Sequence, residues 1–193
     1  MARVFIIHGA YGNPEENWFP WLREQLEGIG CEVIVPRFPT PKGQSLEGWL
    51  SEFARFRSKV DADTVFVGHS IGAAFILNVL ERIEVKVRAA FFVAGFIAQV
   101  VDPTGEINAI NGTFYEKGFD FDIIKRNCGE FYVLNSDNDR YVTLENARRL
   151  CTPLGATLTL IEGAGHFNRQ SGYTKFPQLL DMIEDVLTTN PSD

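Results

Sequence analysis

A chain of 193 residues, 45% of them hydrophobic, is long enough to bury one sizeable core and reads as a single domain. A formal net charge of −7 and a pI near 5.0 exclude nucleic acid as a partner, since no basic stripe exists to neutralise phosphates. Glycine, histidine, asparagine or charge breaks each apolar stretch before it could span a membrane, and the amino-terminal run is too short for a signal peptide. Three cysteines, Cys31, Cys128 and Cys151, show no CxxC spacing and read as reduced core thiols of a cytoplasmic protein.

In chain order, residues 4–7 form an apolar run that predicts the first strand. The segment "HGAYGN" then predicts a glycine-bearing loop. Residues 18–29 predict a helix with Trp18, Leu22, Leu26 and Ile29 on one face, ended by Gly28 and Gly30. A second strand at 32–35 is followed by a helix over 45–60, capped near Ser45, with Leu46, Leu50 and Phe53 at helical spacing. Residues 64–67 predict the third strand, and 71–83, apolar nearly all round, a helix inside the fold. After a fourth strand at 89–94 comes 96–127, glycine- and aromatic-rich without a clean period; it reads as an irregular insertion that could serve as a small lid. Strands at 131–134 and 157–161, helices at 143–150 and 176–187 and a frayed tail at 188–193 complete the chain. Continuously apolar strands alternating with helices predict an α/β fold. The architecture expected is one doubly wound domain with a mostly parallel six-stranded sheet and helices on both faces.

The third strand meets its helix in "VGHSIGA". A strand that turns at once into a helix forces the residue at its tip into a strained conformation, and side chains two positions either side would collide. Glycines at both flanks, Gly68 and Gly72, remove the collision, so Gly68-His69-Ser70-Ile71-Gly72 reads as a nucleophile elbow presenting Ser70. The hydroxyl needs a base. His69 is adjacent in sequence and diverges, and His8 ends the first strand, where it braces the following loop. His166, in "EGAGHFN" after the last strand, is free to reach the elbow. An imidazole base needs a carboxylate, and "NSDNDRYV" after the fifth strand offers two. Its position past the strand favours Asp139 over Asp137, which then serves as a turn residue bonding its own backbone. The amide of Ile71 and one from the first loop, Ala10 foremost and Tyr11 next, are placed to hold an oxyanion. Tyr11, Trp18, Phe114 and Phe167 are the candidate pocket aromatics, and finishing the core is an equal alternative for the rings of the insertion. Neither GxxxxGK[ST], GxGxxG, HExxH nor clustered Cys/His spacing occurs, so no cofactor and no metal is expected.

With these residues placed, "IIHGAYGNPEENWFPWL", "VGHSIGA", "NSDNDRYV" and "GAGHFNRQSGYTKFP" resemble the α/β-hydrolase superfamily. More narrowly they resemble the retinoblastoma-binding-protein-9-like small serine hydrolases, across nearly the whole chain. The resemblance implies a minimal hydrolase fold without a large cap and puts the triad carboxylate where Asp139 stands. Arg140 and Thr143 stand where that family often has prolines, and Asn138 replaces a frequent second acidic residue. The resulting expectation is a Ser70–His166–Asp139 hydrolase of small carboxylic esters or thioesters. Two rivals remain: a non-catalytic interaction protein on the same fold, and an acyltransferase or peptidase using the same triad. The oligomeric state is left open, with a monomer as the simplest case.

Overall fold

Six strands, β1 (Arg3–Ile7), β2 (Glu32–Ile34), β3 (Thr64–His69), β4 (Val87–Val93), β5 (Cys128–Ser136) and β6 (Thr157–Ile161), pair in parallel throughout in the order β2-β1-β3-β4-β5-β6. The computed structural model describes residues 1–189. Thr188 closes the last helix, and residues 190–193 of the expected frayed tail lie outside the described residues. Although the strands are apolar on both sides, their side chains still separate by alternation. Phe5, Ile7, Phe66, Ala90 and Phe92 face one core, while Val4, Ile6, Val65, Val67, Phe91 and Val93 face the other.

Among the described residues seven helices cover the two faces: α1 (Phe19–Gly28), α2 (Leu46–Phe53), α3 (Gly72–Leu80), α4 (Glu106–Asn111), α5 (Phe121–Arg126), α6 (Leu144–Leu154) and α7 (Pro177–Thr188). Phe19, Leu22 and Leu26 of α1 and Leu179, Ile183 and Val186 of α7 close one core; α2, α3, α5 and α6 close the other. Every residue of α3 is buried, as expected of a sequence apolar at all positions but Asn78. The Ser45 hydroxyl accepts from the Gly48 amide at 3.0 Å and caps α2. The helix expected over 45–60 is really α2 followed by a 3-10 segment, Ala54–Lys59, where the buried stripe stops.

The stretch 96–127 is irregular only in part, with no helix or strand over residues 96–105 and 115–120. It holds α4, a 3-10 turn at Gly112–Phe114, and α5, each too short for a readable period. Nor does it stand away from the body. Asn78 Nδ2 donates to the Phe114 carbonyl (2.8 Å), Asn146 Nδ2 to that of Gln99 (2.9 Å), and the Val101 amide to that of Tyr141 (3.0 Å). Asn108 locks the start of the segment by bonding both the amide and the carbonyl of Val100 (2.9 and 3.0 Å).

The chain runs from β1 outward to β2, then returns to place β3 on the other side of β1. That reversal leaves a crevice beyond the carboxyl ends of β1 and β3, where the loops diverge. The loop of Gly9–Asn13 and the elbow at Ser70 both begin there.

Candidate active site

Ser70 has φ +58, a left-handed conformation that a non-glycine residue adopts only when its surroundings impose it. Its amide donates to the Val93 carbonyl (2.9 Å), so the sheet grips the turn while the side chain stands at the carboxyl edge. A Cβ on Gly72 would lie 2.6 Å from the Ile7 carbonyl oxygen, and one on Gly68 would lie 2.8 Å from the backbone of Gly72. Both flanking positions therefore exclude a side chain because backbone already fills the space.

Three side chains from the ends of β3, β5 and β6 meet at this edge. His166 Nδ1–H donates to Asp139 Oδ2 at 2.8 Å, which fixes the tautomer, and the bare Nε2 faces the Ser70 hydroxyl at 3.3 Å. The Asp139 side chain is fully buried, and its other oxygen accepts from the amides of Tyr141 (2.9 Å) and Val142 (3.1 Å). Both carboxylate oxygens thus have donors. Asp137 is exposed and does not touch His166; its Oδ1 accepts from the Gly163 amide (2.8 Å). It is therefore not a turn residue bonding its own backbone, as the sequence suggested, but a link to the neighbouring loop.

That link belongs to a series invisible in either segment read alone. Besides the Asp137 bond, Ser136 Oγ accepts from the Ala164 amide (2.9 Å) and Asn138 Oδ1 from the Gly165 amide (2.6 Å). Three consecutive side chains before Asp139 thereby hold three consecutive amides before His166. The only sequence signal was a cluster of short acceptors, "NSDN", and a small-residue loop, "GAG", able to come close to it.

The other two histidines hold the frame. His69 Nε2–H donates to the His166 carbonyl (2.9 Å), and burial, reinforced by the nearby His166, pushes its pKa down to about 3. His8 Nδ1–H donates to the Gly9 carbonyl (2.8 Å) while Nε2 accepts from the Phe38 amide (3.1 Å); burial lowers its pKa to about 4. Both stay neutral wherever the protein is folded near neutrality. The bracing expected of His8 is what its bonds provide.

Of the two amides considered for the first loop, that of Tyr11 donates to Thr40 Oγ1 (2.7 Å). The amides of Ala10 and Ile71 have no protein acceptor among the described residues and are available to a ligand. Ser70, His166 and Ala10 open onto a cleft of about 790 Å³. One wall is apolar, with Phe96, Val100, Ile107 and Tyr141; the rim is polar, with Glu15, Glu16, Asn17 and Arg169.

Of the four pocket aromatics expected, only Tyr11 lines this cleft. Trp18, Phe114 and Phe167 are completely buried. Trp18 Nε1–H donates to the Phe167 carbonyl (3.0 Å), and Phe167 stacks on Phe176 at 5.4 Å, so both support the His166 loop from beneath. Phe114 packs edge-on against Trp49 (4.9 Å) in the opposite core. Rings of this size gain more from full burial than from a wet cleft, and nothing in their spacing separates the two fates.

A parallel sheet in this order, an elbow serine and a histidine–aspartate pair at its carboxyl edge define an α/β-hydrolase. The model of the "Serine hydrolase" family matches residues 4–185, and the chain belongs to that family. YdeN of Bacillus subtilis (strain 168) is 28% identical over 189 residues, covering 97% of this chain and 95% of that protein. Serine hydrolase RBBP9 of Rattus norvegicus is 24% identical over 190 residues, covering 97% and 96%. The crystal structure of the B. subtilis ydeN product superposes with a TM-score of 0.90 at 26% identity, covering 98% of this chain and all of that one. Est1E of Butyrivibrio proteoclasticus, solved with ferulic acid, shares the fold (TM-score 0.65, 15% identity, 97% and 86% covered).

Proposed function

We propose that this serine hydrolase cleaves small carboxylic esters or thioesters through an acyl-enzyme on Ser70. The hydrogen-bonded series Ser70 Oγ–His166–Asp139 at the mouth of the cleft is the observation that supports it most directly. As Ser70 Oγ bonds to the substrate carbonyl carbon, its proton passes to His166 Nε2. Asp139 stabilises the resulting imidazolium through Nδ1–H. The carbonyl oxygen, now negative, lies between the amides of Ala10 and Ile71. Removing one such donor elsewhere costs about 10²–10³ in kcat. His166 then gives its proton to the departing alkoxide or thiolate. Water repeats the sequence in reverse, yielding its proton to His166 and releasing the acid from Ser70.

Esters are favoured over amides because an alkoxide or thiolate leaves with little help, whereas an amine needs a held side-chain pocket and exact protonation. The test is labelling with a fluorophosphonate probe and turnover of nitrophenyl esters by wild type and Ser70→Ala. Labelling and turnover should both vanish in the variant. Labelling that persists without the hydroxyl removes Ser70 from the chemistry, and a wild type that neither labels nor turns over supports a binding role for the fold.

A further inference from the structure

We infer that the acyl chain of the substrate carries an uncharged hydrogen-bond acceptor, an ether or keto oxygen, held by Asn111 on the apolar wall of the cleft. This rests on the hydrolase reading above. Asn111, at the end of α4, lines the cleft yet is only 1% exposed. Its Oδ1 accepts from Gln44 Nε2 at 2.6 Å. The Gln44 carboxamide is itself oriented from its other end: Thr40 Oγ1, which accepts the Tyr11 amide, donates its one proton to Gln44 Oε1. With that proton satisfied, Gln44 presents its nitrogen to Asn111, and Asn111 must present its own nitrogen elsewhere.

Nδ2 of Asn111 has no protein acceptor among the described residues. It is also not among the sealed, unpartnered side-chain atoms of the described residues, Arg88 Nε and Asn135 Oδ1. The donor therefore reaches the cleft, and a ligand that displaces water from it must accept from Nδ2 or leave it unpaired at a cost. Its neighbours on that wall, Phe96, Val100 and Ile107, carry no charge, so a carboxylate would be desolvated without compensation, whereas a neutral oxygen would not. The leaving group must lie by His166 Nε2 to receive its proton, which assigns the acyl chain, retained on Ser70, to the wall that precedes and includes α4.

The experiment compares nitrophenyl hexanoate with the three esters in which oxygen replaces the third, fourth or fifth carbon. Each kcat/KM is divided by that ester's rate with hydroxide, to cancel intrinsic reactivity. In wild type one oxygen position should exceed the all-carbon chain by about three- to tenfold, the range of one net hydrogen bond. In Asn111→Leu and in the isosteric Asn111→Asp the advantage should vanish or invert. The ratio is taken within each variant, so it does not depend on how much of that variant folds. An oxygen preference that survives both substitutions, or no preference at any position in a wild type that labels and turns over, sinks this inference alone. So does a preference for hydroxylated chains without one for ethers, since Asn111 would then be presenting its oxygen. A wild type that neither labels nor cleaves any of the esters removes the hydrolase reading and this inference together.

Discussion

Lowering the pH from 7 to 5 should destabilise the fold through two histidines with no part in the proposed chemistry. His8 is fully buried and His69 nearly so, both held neutral, with pKa values pushed by burial to about 4 and about 3. In the unfolded chain a histidine titrates near about 6.5. Below that pH the unfolded chain takes up protons that the folded one refuses, so the stability is complete above about 6.5 and declines as the pH falls. Each group contributes about 1.36 kcal/mol per pH unit, hence about 2 kcal/mol by pH 5 and on the order of 4 kcal/mol for the pair. Against a typical domain stability of about 5–15 kcal/mol, that is a large share. Carboxylates do not confuse the window. Glu32, held low by hydrogen bonds from Lys59 and Arg3, and Asp102, held low by the Asn108 amide, release their contribution only as the pH falls below about 4.5. Urea unfolding at pH 5, 6, 7 and 8 measures the slope in wild type, His8→Gln and His69→Gln. Each substitution should halve the loss between pH 7 and 5. Equal stability at both pH values, or a slope unchanged in both variants, would refute the reasoning.

Three other outcomes follow from the site. Asp139→Asn keeps an oxygen for the Tyr141 and Val142 amides but presents the wrong partner to His166 Nδ1; kcat on an ester should fall by about 10⁴ with KM little changed. A variant retaining most of its kcat would move the carboxylate role off Asp139. Gly72→Ala drives a methyl to 2.6 Å from the Ile7 carbonyl oxygen, and soluble yield and melting temperature should both drop sharply; a stable, active alanine variant would show that the elbow can widen. Ser136→Ala deprives the buried Ala164 amide of its acceptor, which costs about 1–3 kcal/mol, and slackens the loop bearing His166. Denaturant midpoints read the first effect and a roughly tenfold fall in kcat the second; no change in either would deny Ser136 its bracing part.

Strand and helix positions were legible because buried parallel strands leave uninterrupted apolar runs and glycines punctuate them. Six strands and five of the seven helices follow from that alone. The elbow was legible for a local reason: Gly68 and Gly72 are compelled by backbone passing within van der Waals reach. The structure brings Asp139, His166 and Ser70 together as the spacing suggested. The remainder depends on which of several similar residues a distant segment happens to meet. Nothing in the composition of Trp18, Phe114 or Phe167 distinguishes a ring buried under a loop from one lining a cleft. The bonds from Ser136, Asp137 and Asn138 to residues 163–165 join segments separated by 26 to 28 positions, with no pattern in either to announce them. α4 and α5, six residues each, fall below the length at which periodicity can be read.

The bonds between residues 136–138 and 163–165 make the acid and the base one mechanical unit, while the wall carrying Phe96, Val100 and Asn111 hangs from a different strand and supplies none of the proposed reacting groups. On the proposed reading, the reacting groups and most of the apolar wall are therefore written in separate stretches of the gene, with Tyr141 serving both. Exchanging the stretch between β4 and β5, with the bond from Val101 to Tyr141 preserved, offers a way to retarget the scaffold to new acids while its proton machinery passes unaltered from one variant to the next.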